Sequence, residues 1–212
     1  MTAWTATEWS AFGGVLSGVG TVIGAVAVIV AANLGSSTFK SWREQKLSER
    51  KIEQAERILT ATYKARRGLE YVRSPLITAH ELNAAEKHLE MLDWWATTDR
   101  KQSLITKQAY FNRLNAVAEE RRAVEECLPM ARALFGEQVE KALETLNRQY
   151  HIVNVAADMN DDVGDDRDFA RKLRSDLSSA SGTKIPNEMN DIIAAQVELI
   201  EDALLPVLRL EK

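Results

Sequence analysis

The chain has 212 residues, of which 45% are hydrophobic and 27% are charged, a composition that is typical of folded proteins and excludes a disordered chain. Its 27 Lys and Arg residues face 31 Asp and Glu residues, and the net charge of −4 argues against nucleic acid as a partner. The single cysteine, Cys127, excludes an intrachain disulfide and any zinc site built from several cysteines.

Residues 11–34 form a stretch of 24 residues without a charged side chain. A helix of that length covers about 36 Å, more than the roughly 30 Å hydrocarbon core of a bilayer. The ten preceding residues contain no Lys or Arg, whereas a signal peptide begins with a basic region. We therefore expect a short extracytoplasmic tail, residues 1–10, and a transmembrane helix, residues 11–34; a core helix or a signal peptide is the alternative.

The charges that flank this segment predict its orientation. Glu8 is the only charged side chain before it, whereas five basic residues follow it within 17 positions. The positive-inside rule then places the remainder of the chain in the cytoplasm and the N-terminus outside the cell inner (plasma) membrane. The basic residues are Lys40, Arg43, Lys46, Arg50 and Lys51.

Tryptophans bracket the predicted span at positions where amphipathic rings favour the lipid headgroup layers. The basic cluster that follows can also contact anionic lipid heads. The alternative for this cluster is a solvated helix whose charge is partly neutralised by nearby glutamates. The predicted membrane-interface residues are Trp9, Lys40, Trp42, Arg43 and Lys46.

Six of the ten glycines lie between residues 13 and 35. On a helical wheel the small residues of the span occupy one half, with Val28 as one large exception, and the other bulky residues occupy the opposite half. Small faces allow close packing of membrane helices. We expect homo-oligomerisation through this face; packing against a different membrane protein is the main alternative. The predicted oligomerisation residues are Gly13, Gly14, Ser17, Gly18, Gly20, Thr21, Gly24, Ala25, Ala27 and Ala31.

Apolar spacing beyond the span is helical, without the alternation typical of strands. Residues 35–74 are predicted to form a basic juxtamembrane and long connecting helix with coiled-coil-like heptads, and residues 75–212 a cytoplasmic α-helical domain. The expected fold class is all-α, with one N-terminal transmembrane helix followed by an elongated antiparallel helical bundle. The helices of this domain are predicted from Pro75 to Trp95, around Tyr110–Leu128 with an end or kink at Pro129, and over Val139–Ala157, Phe169–Ala180 and Ile192–Leu208, with a polar turn at residues 96–103.

The acidic stretch between residues 158 and 168 is the best candidate for a metal site, because hard cations prefer several oxygen ligands from a compact loop. Aligned as a calcium loop from Asp158, it has Val163 where glycine is needed and Phe169 where a bidentate glutamate is needed. We therefore expect a solvated turn whose last aspartates cap the next helix. Asp158, Asn160 and Asp162 are kept as weak metal candidates.

Other reactive residue types are isolated in the sequence. His80 and His88 are two helical turns apart, His151 stands on another helix, and Cys127 has no histidine nearby in sequence. A basic group, Lys64, Arg66, Arg67 and Arg73, is the least implausible ligand site, although such arginines usually solvate a helix or pair with acidic neighbours.

These patterns predict no cofactor and no enzymatic activity. We expect a single-pass, membrane-anchored helical interaction, scaffold or sensor module that self-assembles through the glycine-rich span, with a second membrane or cytoplasmic protein as a further partner. The alternative is an oligomeric membrane effector or small channel gated by its cytoplasmic helical domain. A third interpretation, an anchored metal-dependent hydrolase, depends on the acidic stretch alone.

Overall fold

The computed structural model describes residues 6–91, 98–160, 166–180 and 187–209. Regular structure in these ranges is entirely helical, which confirms the all-α fold class. The chain divides into two compact units, Met1–Arg50 and Lys51–Lys212. The helices are α1 (Ala6–Val72), α2 (Ala79–Met91), α3 (Thr98–Ala116), α4 (Ala118–Phe135), α5 (Glu137–Met159), α6 (Arg167–Leu177) and α7 (Glu188–Leu208).

The first unit consists of the N-terminal part of α1, and every residue from Leu16 to Arg50 is exposed. The described chain holds one helix that is long and apolar enough to cross a membrane, and the apolar part of α1 is that helix. Its hydroxyl groups bond to the backbone of the preceding turn: Thr21 donates to the Ser17 carbonyl at 2.9 Å and Thr38 to the Leu34 carbonyl at 2.8 Å. A long apolar N-terminal helix is thus a feature of the structure.

The second unit is a packed helical bundle whose centre is α5. Buried residues recur along α5 at spacings of three and four, so one broad face of this helix enters the core. Helices α4, α6 and α7 pack against α5, and the C-terminal part of α1 supplies Ile58, Leu69 and Val72 to the same core. Buried residues of α5 include Val139, Leu143, Leu146, Tyr150, Val153 and Ala157.

Helices α2 and α3 form a hairpin with a smaller apolar cluster of their own, made of Ala85, Leu89, Ile105 and Ala109. Helix α2 begins at Ala79, not at the predicted Pro75, because a capping box precedes it. The backbone N–H and the hydroxyl of Thr78 donate to Glu81, and the N–H of Glu81 donates back to the Thr78 hydroxyl.

The third predicted helix is two helices in the structure. Helix α3 begins at Thr98, so the polar turn predicted for residues 96–103 is wrong from residue 98 onward. The apolar residues Ile105 and Ala109 pack on α2, and this tertiary contact stabilises a segment whose polar composition favours a turn. A single turn residue, Val117, separates α3 from α4. Pro129 lies inside α4 without ending it.

One glycine joins α4 to α5. Gly136 is the only residue between the two helices, and its φ of 93° and ψ of 174° lie in a region that is essentially restricted to glycine. Its N–H still donates to the Arg132 carbonyl at 3.2 Å, which satisfies the end of α4. This single residue allows the tight connection between two helices that pack against each other.

Candidate functional site

The ten residues predicted to mediate oligomerisation all lie in α1, and all are exposed. A Cβ atom built on any glycine of the set meets no atom within 4 Å. Glycine costs a helix about 1 kcal/mol relative to alanine. No contact within the described chain accounts for this cost, so the small-residue face is free in the protomer.

The bulky half of the same segment is equally uncovered. Leu16 is 60% exposed, Ile23 64% and Ile29 61%. Monomeric soluble proteins rarely present a continuous apolar surface of this kind, because burying it would be strongly favourable. This part of α1 therefore presents large apolar side chains that no other described residue covers.

The predicted interface residues that follow the span share a solvent-facing stretch of α1. The rings of Phe39 and Trp42 lie 5.9 Å apart, and Lys40, Arg43 and Lys46 are exposed beside them. Lys46 pairs with Glu49 at 2.7 Å, with both side chains about half exposed, so this pair contributes little to stability. Trp9 falls within α1, but its side chain lies outside the described residues.

The weak metal candidates are not assembled into a site in the described part of the chain. The Asp158 carboxylate pairs with Lys107 Nζ at 2.8 Å, and the same Nζ donates to the Asp158 carbonyl. Asn160 directly follows the last residue of α5, and Asp162 lies outside the described residues. Among the residues described, no three His, Cys, Asp or Glu side chains are placed to hold a metal ion.

The expected capping role of the last aspartates is confirmed at Asp166. Its carboxylate accepts hydrogen bonds from the backbone N–H groups of Asp168 and Phe169, both at 3.0 Å, and it forms the N-cap of α6. An aspartate at this position also favours the positive end of the helix dipole. At least one acidic residue of the stretch therefore has a structural role.

The isolated reactive residues remain apart. Cys127 is 1% exposed, and burial raises the pKa of its thiol, which keeps it in the less nucleophilic protonated form. His80 and His88 are exposed on α2, and His151 is exposed on α5. The structure thus places these four residues on three different helices, α2, α4 and α5.

The basic group of residues 64–73 does not form a common ligand site. Lys64, Arg66 and Arg67 are exposed, and Arg66 pairs with Glu70 at 3.0 Å. Arg73 instead is 1% exposed and enters the interior. The hypothesis of one phosphate or nucleotide site on these four residues is therefore wrong for Arg73.

Arg73 links the end of α1 to the connection between α6 and α7 through hydrogen bonds; we call such a buried, hydrogen-bonded arginine a tie. Its hydrogen-bond acceptors are uncharged, and burial lowers the pKa of the guanidinium although Asp176 opposes the shift. In return, the Ser179 N–H donates to the Arg73 carbonyl at 2.8 Å. The acceptors of the guanidinium are the carbonyls of Ser175 (3.1 Å), Asp176 (2.9 Å) and Ser178 (2.9 Å) and the side-chain oxygens of Asn187 (3.0 Å) and Asn190 (2.7 Å).

Arg113 of α3 is a second buried tie, which no sequence pattern singles out. Its Nε donates to Glu81 at 2.6 Å and its Nη2 to the other oxygen of the same carboxylate at 3.0 Å. It also donates to the carbonyl of Val72, the last residue of α1, and to the carbonyls of Ser74 and Leu76 in the link to α2. The only sequence signal near this site is the capping box that holds Glu81.

Comparison with protein-family models, with curated protein sequences and with solved structures finds no match to this chain. The described residues offer one extended feature that no intramolecular contact explains, the exposed apolar part of α1.

Proposed function

We propose that this chain is a non-enzymatic, single-pass membrane protein that self-assembles through its glycine-rich helix and uses its helical bundle as an interaction, scaffold or sensor module. The observation that carries the proposal is the uncharged part of α1, in which every residue from Leu16 to Leu34 is exposed and each glycine has open space around it. In this proposal the N-terminus is outside the cell inner membrane and the bundle is in the cytoplasm.

The physical chemistry of this segment supports a membrane as its environment. An α-helix satisfies all interior backbone hydrogen bonds within itself, as a lipid environment demands. The two hydroxyls within the apolar stretch are Ser17 and Thr21, and that of Thr21 donates to the carbonyl four residues earlier. The first charged side chain after the stretch is Lys40, where basic residues favour the cytoplasmic face.

The free small-residue face supports assembly. Gly20 and Gly24 are separated by one turn and lie on one face of α1, the spacing at which membrane helices approach closely. Close approach allows van der Waals contact and weak Cα–H hydrogen bonds between backbones. A second copy of the same helix offers a matching surface, so we place homo-oligomerisation before a heterologous membrane partner.

The arrangement of the bundle supports a binding role over a catalytic one. Its most buried cations, Arg73 and Arg113, have their hydrogen bonds occupied by the protein itself, and Cys127 is buried as a thiol. We keep the elongated, antiparallel arrangement of neighbouring helices as part of the proposal, because short links such as Gly136 favour it. No observation on the described residues favours the channel alternative.

Self-assembly is tested by the mass of the intact protein in mild detergent, measured by light scattering. Gly20→Leu/Gly24→Leu adds two large side chains to the small-residue face and keeps the segment apolar. We expect a defined oligomer for the wild-type chain and a monomer for this variant, because the added side chains separate the helix backbones. Both proteins should still insert, since leucine favours the bilayer core.

The matched control is Val19→Leu/Val26→Leu, which enlarges two exposed side chains on the bulky half of the same helix. This control should retain the wild-type mass. A monomeric wild-type chain would contradict self-assembly and would direct attention to a different membrane partner. An oligomer that is lost equally in both variants would show that the small-residue face is not the contact surface.

A further inference from the structure

A groove of about 630 Å³ is lined by residues of α5 and α6, with Ile192 of α7 also in its lining. Its apolar residues include Ile152, Val155, Met159 and Phe169. A volume of several hundred Å³ with a mainly apolar lining is typical of sites that bind small molecules. All these residues belong to the second compact unit, so the groove is a property of the bundle alone.

Three apolar side chains of the groove remain substantially exposed although they adjoin the main core. Val155 is 39% exposed, Met159 45% and Phe169 37%. Two of them stand one turn apart on α5, and Phe169 stands on α6 in the same groove. Together they form a local apolar surface that a ligand would cover with a favourable change in free energy.

One residue of the groove lining, Gln149, has a hydrogen-bond acceptor that lacks a partner among the described residues. Gln149 is 3% exposed, and its Nε2 donates to the Thr145 carbonyl at 2.9 Å. Its Oε1 is buried and accepts no hydrogen bond from the described chain, and Gln149 is one of the groove-lining residues. A buried carbonyl oxygen without a donor is unfavourable, so a ligand donor that bonded to this oxygen would be stabilised.

Charges at the groove have both signs. Arg148, Lys172 and Asp176 all line it, and Lys172 Nζ is 3.4 Å from Asp176 Oδ1. The same Nζ is 3.5 Å from Glu188. Lys172 is therefore paired with two carboxylates, and Arg148 and His151 are the other basic residues of the lining. Since the exposed apolar side chains make up most of the surface that a ligand would cover, the complement of the groove is a neutral molecule.

From these observations we propose that the groove binds small neutral aromatic molecules that carry one N–H or O–H donor. The donor bonds to Gln149 Oε1, and the aromatic body covers Val155, Met159 and Phe169. This site goes beyond the proposed anchoring and assembly, and it depends on neither of them, because it lies within the bundle.

The test uses indole, a neutral aromatic with one N–H, and N-methylindole, which lacks the donor. The full chain in detergent is labelled with ¹³C at the methionine methyl groups, and the five methionines are resolved by NMR. We expect indole to shift the Met159 signal and to leave the exposed Met91 signal in place. At equal free concentration, N-methylindole should bind about tenfold more weakly, the effect of one hydrogen bond.

Two variants assign the effect to the residues named. Gln149→Leu removes the acceptor, so this variant should bind indole and N-methylindole equally. Gln138→Leu, the same change at an exposed site on α5, should bind both probes as the wild-type chain does. Val155→Glu places a charge in the groove at a partly exposed position and should weaken the binding of both probes. Thermal unfolding of each variant verifies that the bundle is intact.

Several results would overturn the inference. Indole is titrated to its aqueous solubility, and a Met159 signal that stays unmoved would exclude the site. Equal binding of indole and N-methylindole to the wild-type chain would exclude the role of Gln149. Since the readout is local to the groove, these outcomes are distinct from any failure of membrane insertion or self-assembly.

Discussion

Arg73 and Arg113 both enter the interior of the bundle, but their charges are balanced differently. Arg73 donates to uncharged oxygens, and burial lowers its pKa. Burial also acts to lower the pKa of Arg113, but the hydrogen bonds and charge of Glu81 outweigh it, so that pKa is raised. Arg113 and Glu81 therefore form an ion pair whose stability depends on pH.

The hydrogen bonds from Arg113 hold the pKa of Glu81 at about 2, below its ordinary value of 4.5, although burial opposes the shift. A lowered pKa stabilises the folded state above pH 4.5, and this contribution is lost as the pH falls from 4.5 towards 2. Because solvent screens this partly exposed carboxylate, the shift corresponds to about 1–2 kcal/mol of stability at neutral pH. Glu81→Gln should lose most of this amount at pH 7 and should make stability less dependent on pH in the acid range.

Urea unfolding followed by circular dichroism measures both effects, with the variant compared at neutral and acid pH. Glu70→Gln is the matched control, because Glu70 pairs with Arg66 on the surface, where both side chains are about half exposed. That control should change stability very little. If Glu81→Gln and Glu70→Gln behaved alike, the Arg113 pair would have no special role.

Gly68 is the glycine at which the bundle leaves no room for a side chain. A Cβ atom there would clash with the hydroxyl of Tyr150, which donates to the Ala65 carbonyl at 2.7 Å. We expect Gly68→Ala to lower the free energy of unfolding by about 1–3 kcal/mol through overpacking. Tyr150→Phe removes the clashing oxygen and loses about 1 kcal/mol for its hydrogen bond.

The double variant should therefore be more stable than the sum of the two single changes predicts, and a double-mutant cycle of unfolding free energies measures this coupling. A purely additive result would mean that the Tyr150 hydroxyl does not limit the space at residue 68. The cycle carries its own control, since each single variant is measured in both backgrounds.

Among the helices, the bounds are predicted best from the sequence where the helix buries a regular apolar face. Apolar residues such as Val139, Leu143, Leu146 and Val153 placed α5 close to its observed bounds, Glu137–Met159. Helix α3 has a polar sequence and only a few apolar contacts with α2, so its beginning depends on tertiary packing that spacing alone does not show. The buried ties through Arg73 and Arg113 were also unpredictable, because their partners are distant in sequence.

The connection between α4 and α5 gives a prediction about one residue that acts on two helices. With φ of 93° and ψ of 174°, Gly136 lies outside the left-handed helical region that asparagine tolerates. Gly136→Ala and Gly136→Asn should each cost about 1–3 kcal/mol, because both introduce a Cβ in a conformation reserved for glycine. Neither should clash, since a Cβ there meets no atom within 4 Å.

Chemical denaturation of both variants tests this prediction, with Gln138→Ala on the neighbouring exposed surface as a control that should be nearly neutral. Full stability of Gly136→Asn, with loss only in Gly136→Ala, would instead indicate a left-handed helical conformation at this junction.

For the whole molecule, the two compact units differ in how much of their apolar surface is exposed. The bundle buries most of its apolar residues within itself, whereas the apolar part of α1 is exposed from Leu16 onward. This contrast was readable from sequence, because length, absence of charge and flanking basic residues are local properties. The identity of a partner cannot be predicted in this way, because it depends on the surface of another molecule.

The central claim is that α1 crosses a membrane with the bundle on the cytoplasmic side. The most direct measurement labels single cysteines with a membrane-impermeant maleimide in intact bacterial cells that produce the full chain with Cys127→Ser. Thr7→Cys lies before the apolar segment and Ala116→Cys lies at an exposed position of the bundle. Permeabilised cells provide the control that both sites react.

We expect intact cells to label residue 7 and not residue 116, permeabilised cells to label both, and the protein to stay in the membrane fraction after alkaline extraction. Labelling of residue 116 alone would invert the proposed orientation. Protection of both residues in intact cells, together with release of the chain by alkali, would contradict a spanning α1 altogether.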